Sequence, residues 1–184
     1  RLVSQPSPPA DARWALAQLH LREGDLSAAL EAYRALTALL PDPPGRLLKE
    51  LATVYAMTGQ TEEAREHFEK AIDKDPLLAE VHADLGLLLE SEGRLVEAER
   101  RYRLALEIDP DVVSAQQGLA SLLLQKGEAD EAAELFRQSI RLKPRDPMLR
   151  RNFALALARL GRTKDAEAEM EKARQLEAEK PTRR

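Results

Sequence analysis

The sequence predicts an all-α fold, a solenoid of antiparallel helix pairs, from three features that recur together. Single glycines follow one another at a separation of 35 residues once and of 34 thereafter. Five residues after each glycine stands an alanine, and one helical turn later comes a bulky side chain on the same face. A proline closes each of the first four units. Such a period is typical of helical repeat proteins. The glycines are Gly24, Gly59, Gly93, Gly127 and Gly161, the bulky residues are Tyr33, Phe68, Tyr102, Phe136 and Met170, and the prolines are Pro41, Pro76, Pro110 and Pro144.

Each unit is predicted to contain a first helix, a glycine turn, a second helix and a proline stop. In the first helix an apolar residue at a packing position precedes a small one, which lets neighbouring helices approach closely. These apolar residues are Leu16, Leu51, Leu85, Leu119 and Phe153. Proline ends the second helix because it has no amide hydrogen and its ring clashes with the preceding turn. We expect residues 1–9 to form a linker, residues 10–180 a single solenoid and residues 181–184 a tail. The units are expected at about 10–43, 45–78, 79–112, 113–146 and 147–180.

The last predicted helix, from Thr163 to Glu179, differs from the other second helices. It alternates alanine with charged residues, so one of its faces is expected to stay in contact with water. This composition is typical of the unit that ends a stack of repeats.

The repeated pattern resembles the tetratricopeptide repeat, and the resemblance covers the chain from Ala10 to Glu179. The third unit is nearest to the family pattern, whereas the fifth unit replaces the aromatic residue with Met170 and the closing proline with Ala178. The matching positions of the third unit are Leu85, Gly86, Leu89, Gly93, Ala98, Tyr102, Ala105 and Pro110. The resemblance implies a right-handed α-solenoid of five repeats that acts as a protein-protein interaction scaffold.

Composition and residue spacing give no support for an enzyme. The chain has no cysteine, and its three histidines lack partners at metal-ligand spacing, so neither a catalytic nor a metal site is predicted. There is no glycine-rich phosphate loop, and no cofactor is expected. The net charge of −4 disfavours nucleic-acid and anionic-lipid partners. Six of the seven aromatic residues occupy repeat positions. Trp14 is the aromatic residue to which the repeat pattern assigns no packing role.

A partner is expected in the concave groove, which the family resemblance implies is lined by the first helix of each unit. The mixed polar and apolar lining suits an extended or helical peptide. Trp14 is interpreted either as an anchor for the partner or as packing against the linker. For the polar residues the alternative is a solvated helix face. The candidate partner-binding residues are Trp14, Gln18, Arg22, Lys49, Thr53, Met57, Leu87, Glu90, Gln117, Ser121, Arg151, Leu155 and Arg159.

Charge is distributed unevenly along the sequence. Between Arg141 and Lys164 there are eight basic residues and a single acidic one, Asp146, whereas residues 61–110 are acidic. One hypothesis is an acidic peptide docking on Arg151 and Arg159. Another is self-association of the acidic middle with the basic end, and a third is a well-solvated basic face.

An alternative function is that of an accessory domain in a larger enzyme or in a secretion or assembly protein. The chain begins at Arg1 rather than at a methionine, so we expect it to be part of something longer. It contains no apolar stretch of the length of a membrane span, so no membrane contact is predicted from these residues.

Overall fold

The computed structural model describes residues 9–179 and shows ten helices and no strand within that range. The helices are α1 (Ala10–Glu23), α2 (Leu26–Leu39), α3 (Gly45–Met57), α4 (Thr61–Lys74), α5 (Ala79–Ser91), α6 (Leu95–Ile108), α7 (Val113–Lys126), α8 (Ala129–Leu142), α9 (Pro147–Arg159) and α10 (Thr163–Ala178). The predicted all-α fold and the helix pair in each unit are confirmed. The predicted tail, and all of the predicted linker except Pro9, lie outside the described residues.

The turn within each pair depends on the repeated glycine. After α1 the chain passes through Gly24 at φ 80°, and after α7 through Gly127 at φ 86°. Both values lie in the left-handed region, which a residue with a Cβ atom adopts only at a cost in energy. The left-handed turns therefore recur at the same spacing as the glycines.

The chain divides into two compact units between Val81 and His82. In the first, α1 packs on α2, α2 on α3 and α3 on α4. In the second, α6 packs on α7, α7 on α8, α8 on α9 and α9 on α10. The prediction of one solenoid domain over residues 10–180 stays a prediction.

The repeated bulky residue of the second helices forms the core of each unit. Tyr33, Phe68, Tyr102 and Phe136 are at most 1% exposed. Tyr102 lies against two glycines: a Cβ atom on Gly118 would stand 2.2 Å from its ring, and one on Gly86 would stand 2.7 Å away. These helices approach so closely because both positions lack a side chain.

The packing prediction fails at the first unit. Leu51, Leu85 and Leu119 are 1–2% exposed, as expected of packing residues, but Leu16 is 49% exposed. The physical reason is that no helix precedes α1 in the described part of the chain, so this face of α1 has nothing to pack against.

Candidate functional site

Four of the predicted partner-binding residues line one pocket in the first compact unit. Its volume is about 420 Å³, and it lies between α1, α2 and α3. The lining residues are Gln18, Leu21, Arg22, Tyr33, Lys49, Glu50 and Thr53. The sequence therefore identified the first-helix side of this pocket, but it did not identify Tyr33 and Glu50 as part of it.

Glu50 is the centre of the hydrogen bonding in this pocket. Its Oε2 accepts a hydrogen bond from the indole Nε1 of Trp14 at 2.6 Å and another from the hydroxyl of Tyr33 at 2.7 Å. Its Oε1 accepts from Nε2 of Gln18 at 3.0 Å. These three donors are uncharged, so they hold the carboxylate in place without cancelling its charge.

The local sequence explains why these groups meet. Trp14 and Gln18 are one turn apart on α1 and therefore share a face. Tyr33 is buried on α2, and Glu50 lies on α3, which packs on α2. Burial, followed by the hydrogen bond and the charge of Glu50, raises the pKa of Tyr33 well above its ordinary value. Tyr33 consequently remains a hydrogen-bond donor to Glu50 at alkaline pH values at which an ordinary tyrosine ionises.

Trp14 thus has a structural role that neither sequence interpretation contained. Its indole nitrogen is engaged within the fold by Glu50, while its ring remains half-buried. Contact of Trp14 with a partner stays a prediction, and residues 1–8 of the predicted linker are not described.

Thr53 and Met57 also lie on α3, and each can offer a ligand a different kind of contact. The hydroxyl of Thr53 donates to the carbonyl of Lys49 at 2.9 Å, so its proton is used within the helix and its oxygen is left to accept. Met57 is 55% exposed. Thr53 is therefore suited to accept a hydrogen bond from a ligand, and Met57 to provide apolar contact.

In the second compact unit, the predicted partner-binding residues of α5 and α7 differ in exposure and in hydrogen bonding. Glu90 accepts a hydrogen bond from the hydroxyl of Tyr102 at 2.8 Å. Burial is the main cause that raises the pKa of Tyr102 above its ordinary value, and the bond to Glu90 adds to it. Leu87 is 61% exposed, whereas Gln117 and Ser121 are half-buried.

Two predicted residues of α9 line a second pocket, of about 410 Å³, between α9 and α10. Arg151 stands at its edge and pairs with Glu177, while Leu155 forms part of its apolar wall. Arg159 is exposed and does not line this pocket. The remaining lining residues are Ala154, Ala158, Thr163, Ala166, Glu167, Met170 and Arg174.

The basic segment predicted from the sequence acquires acidic neighbours when it folds. Arg145 pairs with Glu179 at 2.8 Å, and Arg150 with Glu169 at 2.9 Å. Burial disfavours ionised Glu169, but hydrogen bonds from Lys172 and Arg150 outweigh it and lower its pKa. Because Glu169 belongs to α10 and Glu179 follows that helix, both carboxylates lie beyond the segment that was counted, and the count overstated the positive charge of this end.

Another polar contact was not predicted from the sequence, because its partners lie in different helices. Gln116 is 1% exposed, donates to the carbonyl of Pro110 at 2.7 Å and accepts from the hydroxyl of Ser139, also at 2.7 Å. Ser139 stands where three of the other four units have alanine and the first unit has Leu36. The serine at this otherwise apolar repeat position was the one sequence signal that could have indicated a buried polar contact.

Two of the three histidines pack against neighbouring side chains. His82 is 3% exposed and lies 3.4 Å from the guanidinium of Arg101, and the ring of His67 packs against Tyr55 with centroids 5.2 Å apart. Over residues 9–179, no group of three or more possible ligands stands where it could hold a metal ion. Within the same range, no helix is both long enough and apolar enough to cross a membrane.

Comparison with known families decides the identity of the repeat. Two family profiles match the chain, and both are described as tetratricopeptide repeat. One matches residues 1–44 and 118–182, and the other matches residues 55–123 and 89–138. The chain belongs to the tetratricopeptide-repeat family.

The tetratricopeptide-repeat chain is similar over part of its length to curated relatives. It is 36% identical over 73 residues to the Photosystem I assembly protein Ycf3 of Synechococcus sp. strain CC9902, a match that covers 39% of this chain and 42% of the relative. To the protein of the same name from Prochlorococcus marinus strain MIT 9211 it is 35% identical over 72 residues, which covers 38% of this chain and 42% of the relative. The matched region thus spans less than half of either protein.

Solved structures share the tetratricopeptide-repeat fold. pilF of Pseudomonas aeruginosa superposes with a TM-score of 0.79 at 24% identity, covering 90% of this chain and 75% of pilF. MamA of Desulfovibrio magneticus RS-1 gives 0.72 at 17% identity, with 94% and 97% covered. At these identities the likeness concerns the fold alone. Membership of the tetratricopeptide-repeat family is consistent with a scaffold for protein interaction.

Proposed function

We propose that this chain is a protein-interaction scaffold that binds a peptide or protein segment along the groove formed by the first helices of its repeats. The observation that carries the proposal is the pocket around Glu50, where α1 and α3 place Gln18, Arg22, Lys49 and Thr53 around one opening. A carboxylate fixed by three uncharged donors is preorganised, so a ligand meets a polar group that is already oriented.

The chemistry of the pocket favours peptide binding over catalysis. Glu50 and Thr53 provide acceptors, Arg22 and Lys49 provide donors, and Leu21 provides an apolar contact. A peptide carries the same combination of amide donors, carbonyl acceptors and apolar side chains. The exposed Leu87 and Leu155 provide further apolar contacts on the first helices of the second unit.

The proposal is tested with a groove variant and a matched outer-face variant. The groove variant carries Arg22→Ala, Leu87→Ala and Gln117→Ala on first helices. The control carries Arg34→Ala, Val96→Ala and Gln138→Ala on second helices, with side chains of similar type and exposure. Peptides selected by the wild type from a displayed library are then titrated against all three proteins.

Binding can be followed through Trp14, the single tryptophan of the chain, which bonds to Glu50 at the pocket. We expect the groove variant to bind the selected peptides at least about tenfold more weakly, a change of about 1.4 kcal/mol, and the control to bind like the wild type. Equal loss in both variants, or loss in the control alone, would contradict the proposal.

A second candidate function is an interaction module within a larger assembly factor. The similarity to a protein named as an assembly protein favours it. The candidates differ in their prediction for the isolated chain. A scaffold of the first kind binds its peptide alone, whereas a module of the second kind needs flanking sequence for full affinity.

A further inference from the structure

The outer face of α1 carries an apolar stripe that packs against nothing in the described part of the chain. Ala12, Ala15, Leu16 and Leu19 follow the spacing i, i+3, i+4 and i+7, which places them on one helical face. All four are exposed, Leu16 by 49% and Leu19 by 42%. Leu16 and Leu19 lie one turn apart, so their exposed side chains form one apolar surface on α1.

The same stripe is buried in later first helices. The residues that correspond to Ala12, Leu16 and Leu19 are Leu47, Leu51 and Val54 in α3, and Ala115, Leu119 and Leu122 in α7; all six are at most 2% exposed. In α3 the stripe is covered because the helix packs on α2, and in α7 because it packs on α6. The stripe is therefore the surface by which a first helix docks on the unit before it.

The last helix pair has an open apolar surface of its own. The apolar pocket between α9 and α10 has a volume of about 410 Å³ and is walled by Ala154, Leu155, Ala158, Ala166 and Met170. Met170 is half-buried, whereas its counterparts in the other second helices are at most 1% exposed. Within residues 9–179 no helix follows α10, so the pocket is open where an earlier unit is covered.

The preceding unit shows what fills such a pocket. The helix α9 packs against α8 and also touches α7, so the first helix of one unit covers the groove between the two helices of the unit before it. In α7, which packs on α6, Gly118 lies against the ring of Tyr102 of that helix. Ala15 holds the same repeat position in α1, and like Gly118 it is small enough for a close approach.

We propose that α1 of one copy of this chain docks into the α9–α10 pocket of a second copy. The contact extends the packing between repeats from one molecule to the next, with Leu16 and Leu19 covering the apolar wall around Met170. A head-to-tail contact of this kind joins two different surfaces and leaves one of each free. Association therefore continues into short stacks as the concentration rises.

The proposed contact between copies is apolar, so its response to salt distinguishes it from association through charge. Only Arg151, Arg174 and Glu167 bring charge to the lining of the pocket, and Arg151 is paired with Glu177. Screening by salt weakens contacts between exposed charges but leaves apolar burial in place. Stacking by α1 is thus expected to persist at high salt, unlike association of an acidic middle with a basic end.

Two blocked variants of the full chain test the proposal by sedimentation velocity. Leu16→Glu with Leu19→Glu blocks the stripe, and Ala158→Glu blocks the pocket; all three positions are exposed, so the fold tolerates them. Val96→Glu is the matched control, since Val96 is 64% exposed on α6 and belongs to neither surface. Circular dichroism and thermal unfolding check that every variant is folded.

We expect the average mass of the wild type and of Val96→Glu to rise with concentration, in low and in high salt, while each blocked variant alone stays at the 20.6 kDa of one chain. An equimolar mixture of the two blocked variants should form a species of twice that mass and no larger one, because each retains the surface that the other lacks. A wild type that is monomeric up to roughly 1 mM overturns the proposal and leaves the pocket to another segment or protein. Association that is abolished by salt, or a mixture that stays monomeric, overturns it as well.

Discussion

At the residue scale, Glu50 links the stability of the first unit to its candidate binding pocket. Removing its carboxylate leaves the hydroxyl of Tyr33 and the indole nitrogen of Trp14 without their partner. We expect Glu50→Ala to lower the free energy of unfolding by about 1–3 kcal/mol, because a donor left unsatisfied in the interior loses its hydration without compensation. Urea unfolding measures the change, and Glu69→Ala, an exposed site on α4, serves as the control. Equal stability of the two variants would mean that the Glu50 cluster is not formed in solution.

The buried tyrosines predict how stability depends on pH. Burial and an acidic neighbour raise the pKa of both Tyr33 and Tyr102, while an unfolded tyrosine titrates at about 10. Above pH 10 the unfolded chain releases protons that the folded chain retains. The free energy of unfolding from this source is therefore constant below pH 10 and falls above it, by about 1.4 kcal/mol per pH unit for each tyrosine.

Urea unfolding between pH 9 and pH 12 tests this dependence. Tyr102→Phe should remove about half of the loss due to the two tyrosines, and the double variant with Tyr33→Phe should remove most of it. Other groups titrate in the same range in every protein, so the comparison between variants isolates the tyrosines. A double variant whose stability falls as steeply as that of the wild type would contradict the prediction.

The sequence predicted the positions of these residues better than their contacts. Repeat spacing placed Tyr33 in the core, and family resemblance placed Trp14 and Gln18 on the groove face. Neither could show that all three donate to Glu50, because that convergence depends on the packing of α1, α2 and α3 in space. The position of Glu50 is held by alanine, aspartate, glycine and asparagine in the other units, so the repeat itself gives no signal for a carboxylate there.

At the scale of elements, the turn glycines and closing prolines predicted the helix pairs well, since both act on the backbone locally. The last helix was expected over Thr163 to Glu179 and is found over Thr163–Ala178. Contacts between helices were harder to predict from the sequence. Gly118 was not recognised as a packing residue, because in no other unit is this position glycine.

The approach of α7 to Tyr102 predicts that Gly118→Ala is destabilising. Alanine favours a helix over glycine by about 1 kcal/mol, but its Cβ would stand 2.2 Å from a ring that is 1% exposed. The overlap is expected to outweigh the gain, for a net loss of about 1–3 kcal/mol in the free energy of unfolding. Ser121→Ala, on the same helix, is the control without a clash.

A double-mutant cycle shows whether the loss comes from this contact. In a Tyr102→Leu background the bulky ring is absent, so the cost of Gly118→Ala should shrink or change sign. A cost that is the same in both backgrounds would place the source of the destabilisation elsewhere.

At the scale of the whole molecule, family membership follows from sequence alone, whereas the surface charge does not. The count of basic residues from Arg141 to Lys164 left out nearly all of α10 and the residue that follows it, although Glu169 and Glu177 of α10 pair with Arg150 and Arg151, and Glu179 pairs with Arg145. The open face of α1 was equally invisible to the repeat pattern, since the pattern assigns Leu16 the same role as Leu51. The two residues differ because α3 packs on α2, whereas no helix precedes α1 within residues 9–179.

The most direct test of the central claim, that the first helices form the recognition surface, is site-specific photo-crosslinking to a peptide selected by the wild type. A photoreactive amino acid is placed at Gln117 on the first helix α7, or at Gln138 on the second helix α8 of the same unit. Both side chains are half-buried, so the label disturbs the fold to a similar extent. The account predicts a crosslink from position 117 and none from position 138. A crosslink from position 138 alone would place the partner on the outer helices and contradict the account.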